Sequence, residues 1–467
     1  MKKKKIQDFR RSINLKLNEN LVGLNAGKMA YNFAFSGGSL RGECPFQAFF
    51  DRYFGSLGEF EQILNPDMVL AGGVCVYYEK TDENAGTRAD KLVVVDKNNK
   101  VFYLNLYDAE PKFIDLNLKF TSKPTAFCYN HYGDDCLVFC SKTDNMVVWD
   151  GVNLPEVVVD APNIISSVIH KERCFAIVEN DPNTLWFSDD LDPTNWSVGL
   201  QDAGFIKMAD GRGRLLRLIS YGGYLYIFRE RGISRLTANG SQEDFYLTHL
   251  FVSSGRILDD TITLCGDRII FVATDGVYAF DGASTIRILE TLGDLLVKNS
   301  GAVACFFNGK YYLTCKTDFF DTRYDDKNFY SNMLFAYDIS SGEYEFFRGL
   351  NVYDLASVVG GEFNTLLIMT DENFYCYTET PNNFLAGFKS GLYNFDDSKR
   401  TKTVRKISGF VKNTDTIDIV LYNEKGEEKT YIFKTGTNEI NVCFSGKAIG
   451  YKVFCKNSGE LVDLMIE

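Results

Sequence analysis

A unit of two apolar strands around a polar turn recurs through the middle of the chain, and no other feature restricts the fold as much. The copies are KLVVVDKNNKVFYLNL (91–106), CLVFCSKTDNMVVWDGVNLPEVV (136–158), RCFAIVENDPNTLWFSD (173–189), YLYIFRERGISRLTANG (224–240) and RIIFVATDGVYAFDG (268–282). An interrupted copy follows over 310–347, and TLLIMTDENFYCYTE (365–379) completes the series. Their first strands begin at Leu92, Leu137, Phe175, Tyr226, Ile270, Tyr311 and Leu367, in steps of 45, 38, 51, 44, 41 and 56 residues. A period near 45 with several short strands per unit is the pattern of a β-propeller. One such unit cannot bury both of its faces, whereas a closed ring of them can. The repeat therefore predicts an all-β fold: a β-propeller of about seven blades over residues 68–395. Six or eight blades stay open, because circular closure borrows a strand from elsewhere. MVLAGGVCVYYEK (68–80) is the expected donor.

Composition fits this reading. The chain carries 38 Phe, 26 Tyr and 39 Gly against 9 Pro, which suits strands joined by many turns. With 467 residues, 45% of them hydrophobic, it can pack a large core. Residues 1–67 form an N-terminal arm. In it, YNFAFSGGSLRGECPF (31–46) reads as strand, Gly-Gly turn and strand. FQAFFDRYFGSLGEFEQIL (46–64) has apolar residues at helical spacing, with an almost wholly aromatic face. That face, including Phe49, Phe50 and Phe54, predicts either packing against the propeller or a docking surface for a neighbour. After the ring, residues 396–467 alternate as TIDIVLY, KTYIFK, EINVCF, GYKVFCK and ELVDLMIE, which predicts a C-terminal β-sandwich.

The most suggestive chemistry lies in NTLWFSDDLDPTNWS (183–197), which holds three Asp and two of the three Trp. TLWFS alternates as a strand. Asp189 leaves it, Asp192 caps a turn, Pro193 presets the backbone of that turn, and Trp196 covers it. A calcium loop would need Gly or carbonyl ligands at set offsets, and these are absent. In VVWDG and YAFDG, Asp150-Gly151 and Asp281-Gly282 have the composition of tight turns between the last two strands of a blade. His131, His170 and His249 are the only histidines, and none lies in a hydrolase or metalloprotease motif. DGRGR (210–214) lacks P-loop order and reads as a hairpin loop. Arg217, Arg229, Arg231, Arg235 and Glu230 would have to converge on the ring axis for glycosidase chemistry of the sialidase type. Twelve scattered Cys include no CxxC; Cys136 and Cys140, four apart on a strand, sit roughly 13 Å apart and cannot share an ion. The sequence thus points to no catalytic residue, no metal and no cofactor. The expectation is a protein that is not an enzyme.

A net charge of −12 argues against a general nucleic-acid coat, which needs clustered cations. The exception is the start, where Lys2, Lys3, Lys4 and Lys5 precede Arg10 and Arg11, either as a solvated tail or as an arm for an acidic partner. The insert TDFFDTRYDDKNFYSN (317–332) offers Tyr324, Phe329 and Tyr330 as contact residues for a protein or a carbohydrate. No signal-peptide core and no ~20-residue apolar run occurs, so no membrane span is expected.

NFAFSGGSLRGECPF (32–46), TLWFSDDLDPTNWS (184–197), the repeated strand–aromatic–DG units and the strands following KRTKTVRKI together resemble propeller proteins of tailed bacteriophages. Among these, the packaged-DNA stabilisation and tail-hub proteins of short-tailed phages are the nearest in kind. The resemblance implies a structural virion protein, assembled in the host cytoplasm into the tail or head–tail junction. Its partners would be other copies of itself in a ring and other tail or portal/connector proteins, with direct DNA contact left open. The competing readings are a carbohydrate-binding host-recognition propeller and a propeller glycosidase.

Overall fold

In the computed structural model, residues 4–6, 9, 13–22, 24, 26–54, 63–82, 86–131, 134–199, 202–208, 210–297, 301–316, 333–359, 361–378, 384–395 and 397–467 are described, and the statements below concern these. Seven four-stranded antiparallel sheets form a propeller. Blade 1 comprises Val74–Tyr78, Lys91–Val95, Lys100–Asn105 and Ile114–Lys119. Blade 2 comprises Thr125–His131, Asp134–Cys140, Met146–Trp149 and Glu156–Val158. Blades 3 to 6 begin at Ile164, Leu215, Thr263 and Ala304. Blade 7 has Val352–Val358, Thr365–Thr370 and Phe374–Tyr377, and takes its outermost strand, Phe46–Ala48, from the N-terminal region.

That closing strand corrects the expected donor. Val74–Tyr78, inside the 68–80 stretch, is instead the innermost strand of blade 1, paired with Lys91–Val95. The closure registers Tyr375, Cys376 and Tyr377 against Ala48, Gln47 and Phe46. Both sequential ends of the propeller thereby enter one sheet, so the ring cannot open without breaking a strand ladder. The aromatic stretch read as one helix over 46–64 divides at this point. Its first three residues are the closing strand and Phe49–Phe54 is helical, while residues 55–62 of the stretch lie outside the described residues.

The second body is a single nine-stranded sheet. The stretch read as a small C-terminal sandwich supplies its four last strands, Lys402–Asn423, Glu428–Gly446, Ile449–Lys456 and Glu460–Ile466. Leu385–Ser390, placed in the propeller by the sequence reading, belongs here too, as do Lys4–Ile6, Gly27–Tyr31, Phe33–Ala34 and Leu40–Gly42 from the N-terminal arm. The path starts at Gly27–Tyr31 and ends at Phe33–Ala34, segments separated only by Asn32, so the sheet nearly closes on itself. Asn32 takes the left-handed backbone (φ 55°) that lets one strand turn from one edge to the other.

One continuous apolar core joins the two bodies. It unites Ile270, Val272, Leu313, Phe335 and Phe346 of blades 5 and 6 with Tyr31, Phe388, Ile419, Val453 and Leu464 of the nine-stranded sheet. Blades 1 and 7 share a second core, in which Phe50, Phe102, Phe113 and Phe374 meet.

Candidate functional site

The Asp-Gly positions are turns held by their own carboxylates. Asp150 accepts the backbone N–H of Val152 and Asn153 at 2.8 and 2.7 Å and the Asn153 amide at 2.6 Å. Burial alone would raise this carboxyl, but those bonds outweigh it and hold it below the usual carboxylate range. Gly151 follows at φ 82°, where a Cβ would meet Tyr78 and Lys91 at 3.0 and 3.2 Å. Gly151→Ala is therefore expected to lower stability by about 1–2 kcal/mol, read as a shift in the urea midpoint. Asp281 and Gly282 repeat the arrangement, with Ala283 and Ser284 N–H donating to Asp281 at 2.9 and 2.8 Å and Gly282 at φ 98°.

The acidic turn at 189–196 is likewise self-satisfied. Asp192 accepts the Thr194 N–H and O–H at 2.9 and 2.6 Å, and Asp189 accepts the N–H of Asp190 and Asp202 at 2.9 and 3.1 Å. Pro193 lies inside this turn, and Trp196 is buried against blades 2 and 3. Among the described residues, no group of three or more His, Cys, Asp or Glu is arranged to hold a metal ion.

The arginines singled out in the sequence do not converge. Arg217 reaches the ring axis, where it binds the Asp259 carbonyl at 3.2 Å and faces Asp260 at 3.6 Å. Arg229 is fully buried in blade 4 and paired with Asp210 at 2.6 Å. Arg235 lies over the Tyr224 ring at 4.4 Å. The DGRGR segment, read as a hairpin loop, joins blade 3 to blade 4 instead, and its Arg214 pairs with Glu230 at 3.5 Å. His170 is buried, bonds Ser220 at 2.8 Å, and is pushed down to about 4 by burial and by Lys171.

The candidate contact residues fare differently from one another. Phe49 and Phe50 are buried within this chain, packed on Tyr53, Phe363, Phe113 and Phe374, and Phe54 packs against Phe49, Phe50 and Phe363. For Phe49, Phe50 and Phe54 the docking alternative is thereby corrected, since the blade 7–blade 1 junction already uses them; residues 55–62 of this stretch lie outside the described residues. Lys4 and Lys5 lie in an edge strand whose backbone pairs with Ile466 and Met465, so this part of the arm is tied to the C-terminal sheet. Lys2, Lys3, Tyr324, Phe329 and Tyr330 lie outside the described residues.

Two cavities carry further polar chemistry. The axial one, about 630 Å³, is lined by the first strands of the blades and the turns leading into them. Cations (Lys123, Lys142, Arg217) and carboxylates (Asp259, Asp260, Asp354) share its wall. Asp354 is only 6% exposed and accepts the Cys75 N–H at 2.8 Å. Burial pushes it up to about 6 against the opposing pull of Lys123. The second cavity, about 540 Å³, opens between blades 1 and 2. There Lys80 pairs with Asp134 at 2.5 Å, Arg88 with Asp90 at 2.8 Å, and Lys91 donates to the Asn105 side-chain oxygen at 2.6 Å. Neither cavity was foreseen.

No family model and no curated protein sequence matches the chain. Solved structures with a similar course of chain include PorZ, a bacterial surface component of the type-IX secretion system of Porphyromonas gingivalis (TM-score 0.44, 11% identity, 85% of this chain and 46% of that one). Raptor of Chaetomium thermophilum (TM-score 0.44, 10% identity, 67% and 28%) and virginiamycin B lyase of Staphylococcus aureus (TM-score 0.42, 11% identity, 65% and 95%) are further examples. This chain thus spans just under half the length of the PorZ protein. At these scores and identities none of the likenesses bears on function.

Proposed function

We propose that the protein is a structural component of a tailed-phage virion, joining its neighbours in the tail or at the head–tail junction by protein–protein contact. The observation that carries this reading is the rim of blade 2. Within eight residues, Val152 (80% exposed), Leu154, Val157 and Val159 (74% exposed) all face solvent. They lie on the outermost strand, Glu156–Val158, and on the segments flanking it, and that strand's outer backbone edge pairs with nothing among the described strands. Pro155, Glu156 and Asp160 interrupt this edge, but four aliphatics left in solvent within eight residues form an apolar patch of the kind that marks a subunit contact. The two-body architecture with a continuous core supports the same reading, since a rigid block transmits load between neighbours. The sequence resemblance to phage propellers supplies the virion setting.

The test is mass spectrometry and immunogold microscopy of particles purified from a lysate of the host bacterium. The expected result is stoichiometric protein, with label at the tail or neck. A Val157→Asp/Val159→Asp chain should fold with an unchanged urea midpoint, because both side chains already face water, yet enter particles at least tenfold less. Particles lacking the protein overturn the proposal; particles that take up the variant normally overturn the role of this rim.

A further inference from the structure

The pocket between blades 1 and 2 has a composition that neither a free anion nor a free cation satisfies. An anion at Lys91 would share the cavity with Asp82, Asp108 and Asp150, and a cation at those carboxylates would share it with Arg88 and Lys91. Like-charge contacts of this kind penalise the wrong ligand. Other charges cancel locally, Lys80 against Asp134 and Arg88 against Asp90. What remains is an alternation of hydrogen-bond donors and acceptors. Lys91 is only 7% exposed, and among the described residues its ammonium makes one hydrogen bond, to the Asn105 side-chain oxygen, which leaves N–H groups for the cavity it lines. The Asn105 amide in turn donates to Asp108 at 2.9 Å, which fixes both residues.

Beside this polar wall stands an aromatic ring. Tyr107 lines the pocket, is 41% exposed, and is braced edge-on against Phe363 at 5.4 Å. A ring whose plane is fixed while its surface stays open is a stacking platform. The volume lies within the range of small-molecule sites.

We propose that this pocket binds a saccharide without strong formal charge, its hydroxyls meeting Lys91, Asn105 and Asp108 while its apolar ring face stacks on Tyr107. A hydroxyl both donates and accepts, so a polyol satisfies neighbouring ammonium and carboxylate groups that would reject an ion. The proposal stands apart from the virion reading: absence of the protein from particles leaves the binding result untouched.

The experiment is a printed array of bacterial and mammalian glycans probed with the full chain, followed by calorimetric titration of the retained glycan. Inorganic phosphate is titrated alongside. The expected result is one glycan class bound at one site per chain, with no phosphate binding. Tyr107→Ala and Asp108→Asn, both at exposed positions, should each weaken it at least tenfold. Tyr246→Ala, which removes an exposed aromatic from the rim of blade 4, should change nothing. No glycan retained, a retained glycan indifferent to both pocket substitutions, or phosphate binding in place of a glycan overturns the proposal.

Discussion

Replacing Asn32 by leucine is expected to destabilise the protein by about 4 kcal/mol. Asn32 is 3% exposed, and its side chain bonds to two separate segments, at Arg348 and Leu385. Its amide donates to the Arg348 and Leu385 carbonyls at 3.2 and 2.8 Å, and its side-chain oxygen accepts the Arg348 N–H at 2.9 Å. Its backbone N–H reaches Phe346 at 2.7 Å. One residue thus stitches the end of blade 6 to the Leu385–Ser390 strand of the nine-stranded sheet. Leucine would leave three main-chain groups without these partners, at about 1 kcal/mol or more each. It would also hold a branched side chain at φ 55°, which costs roughly 1 kcal/mol more. Asn32→Gly keeps the backbone angle and loses only the bonds, so it should fall between wild type and Asn32→Leu. Urea unfolding followed by tryptophan fluorescence measures this, and limited proteolysis should show the sheet released from the propeller first. Equal midpoints for wild type and Asn32→Leu would mean that the apolar core alone holds the joint.

Asn32 also marks what the sequence could and could not convey. The repeat located the blades because all seven unit starts, from Leu92 to Leu367, fall on the second strand of a blade. Those strands are sandwiched between neighbouring blades and buried on both faces, as in Lys91–Val95, Arg173–Val178 and Thr365–Thr370, so they read as uninterrupted apolar runs. The innermost strands line the polar axial cavity and the outermost face solvent, so Leu215–Tyr221 and Thr285–Ile288 carry a mixed pattern that merges with loops. Closure was misassigned for a related reason. Phe46–Ala48 is three residues long and runs directly into the aromatic helix, whose periodicity masks it. The partnership of N- and C-terminal strands leaves no local trace at all, because pairing between Leu40 and Leu461 is set by the three-dimensional path. The two cavities were illegible on the same ground: Asp354 and Cys75, or Lys80 and Asp134, are brought together only by the ring. The turns at Asp150 and Asp281, by contrast, are local hydrogen-bonding units, and their composition alone described them.

Asp354→Asn should stabilise the protein at pH 8, by an amount on the order of 3 kcal/mol at most, and the gain should vanish towards pH 4. An unfolded Asp titrates near 3.9. In the folded chain burial raises Asp354 to about 6, with Lys123 and the Cys75 hydrogen bonds opposing but not reversing the shift. Between these two values the folded state holds a proton that the unfolded chain has released. The sign is therefore opposite to that of a salt-bridged carboxylate: this residue's contribution becomes more favourable as pH falls through 6, and its full penalty is present above that pH. Asparagine keeps an oxygen to accept the Cys75 N–H and carries no charge, so the variant should lack this part of the pH dependence. The neighbouring Asp260 carboxyl is also raised, by burial and by Asp259, and it contributes the same sign in both proteins. The difference between wild type and variant therefore isolates Asp354. Urea midpoints at half-unit intervals from pH 4 to 8 give the two curves. Parallel curves, or a variant less stable at pH 8, would mean that Asp354 is ionised at no cost beside Lys123, and that the axial cavity is a better-solvated channel than its geometry implies. Converging curves with a midpoint near 6 would identify the axis of the ring as a place where this protein holds a carboxylate in reserve, neutral in mild acid and charged above it.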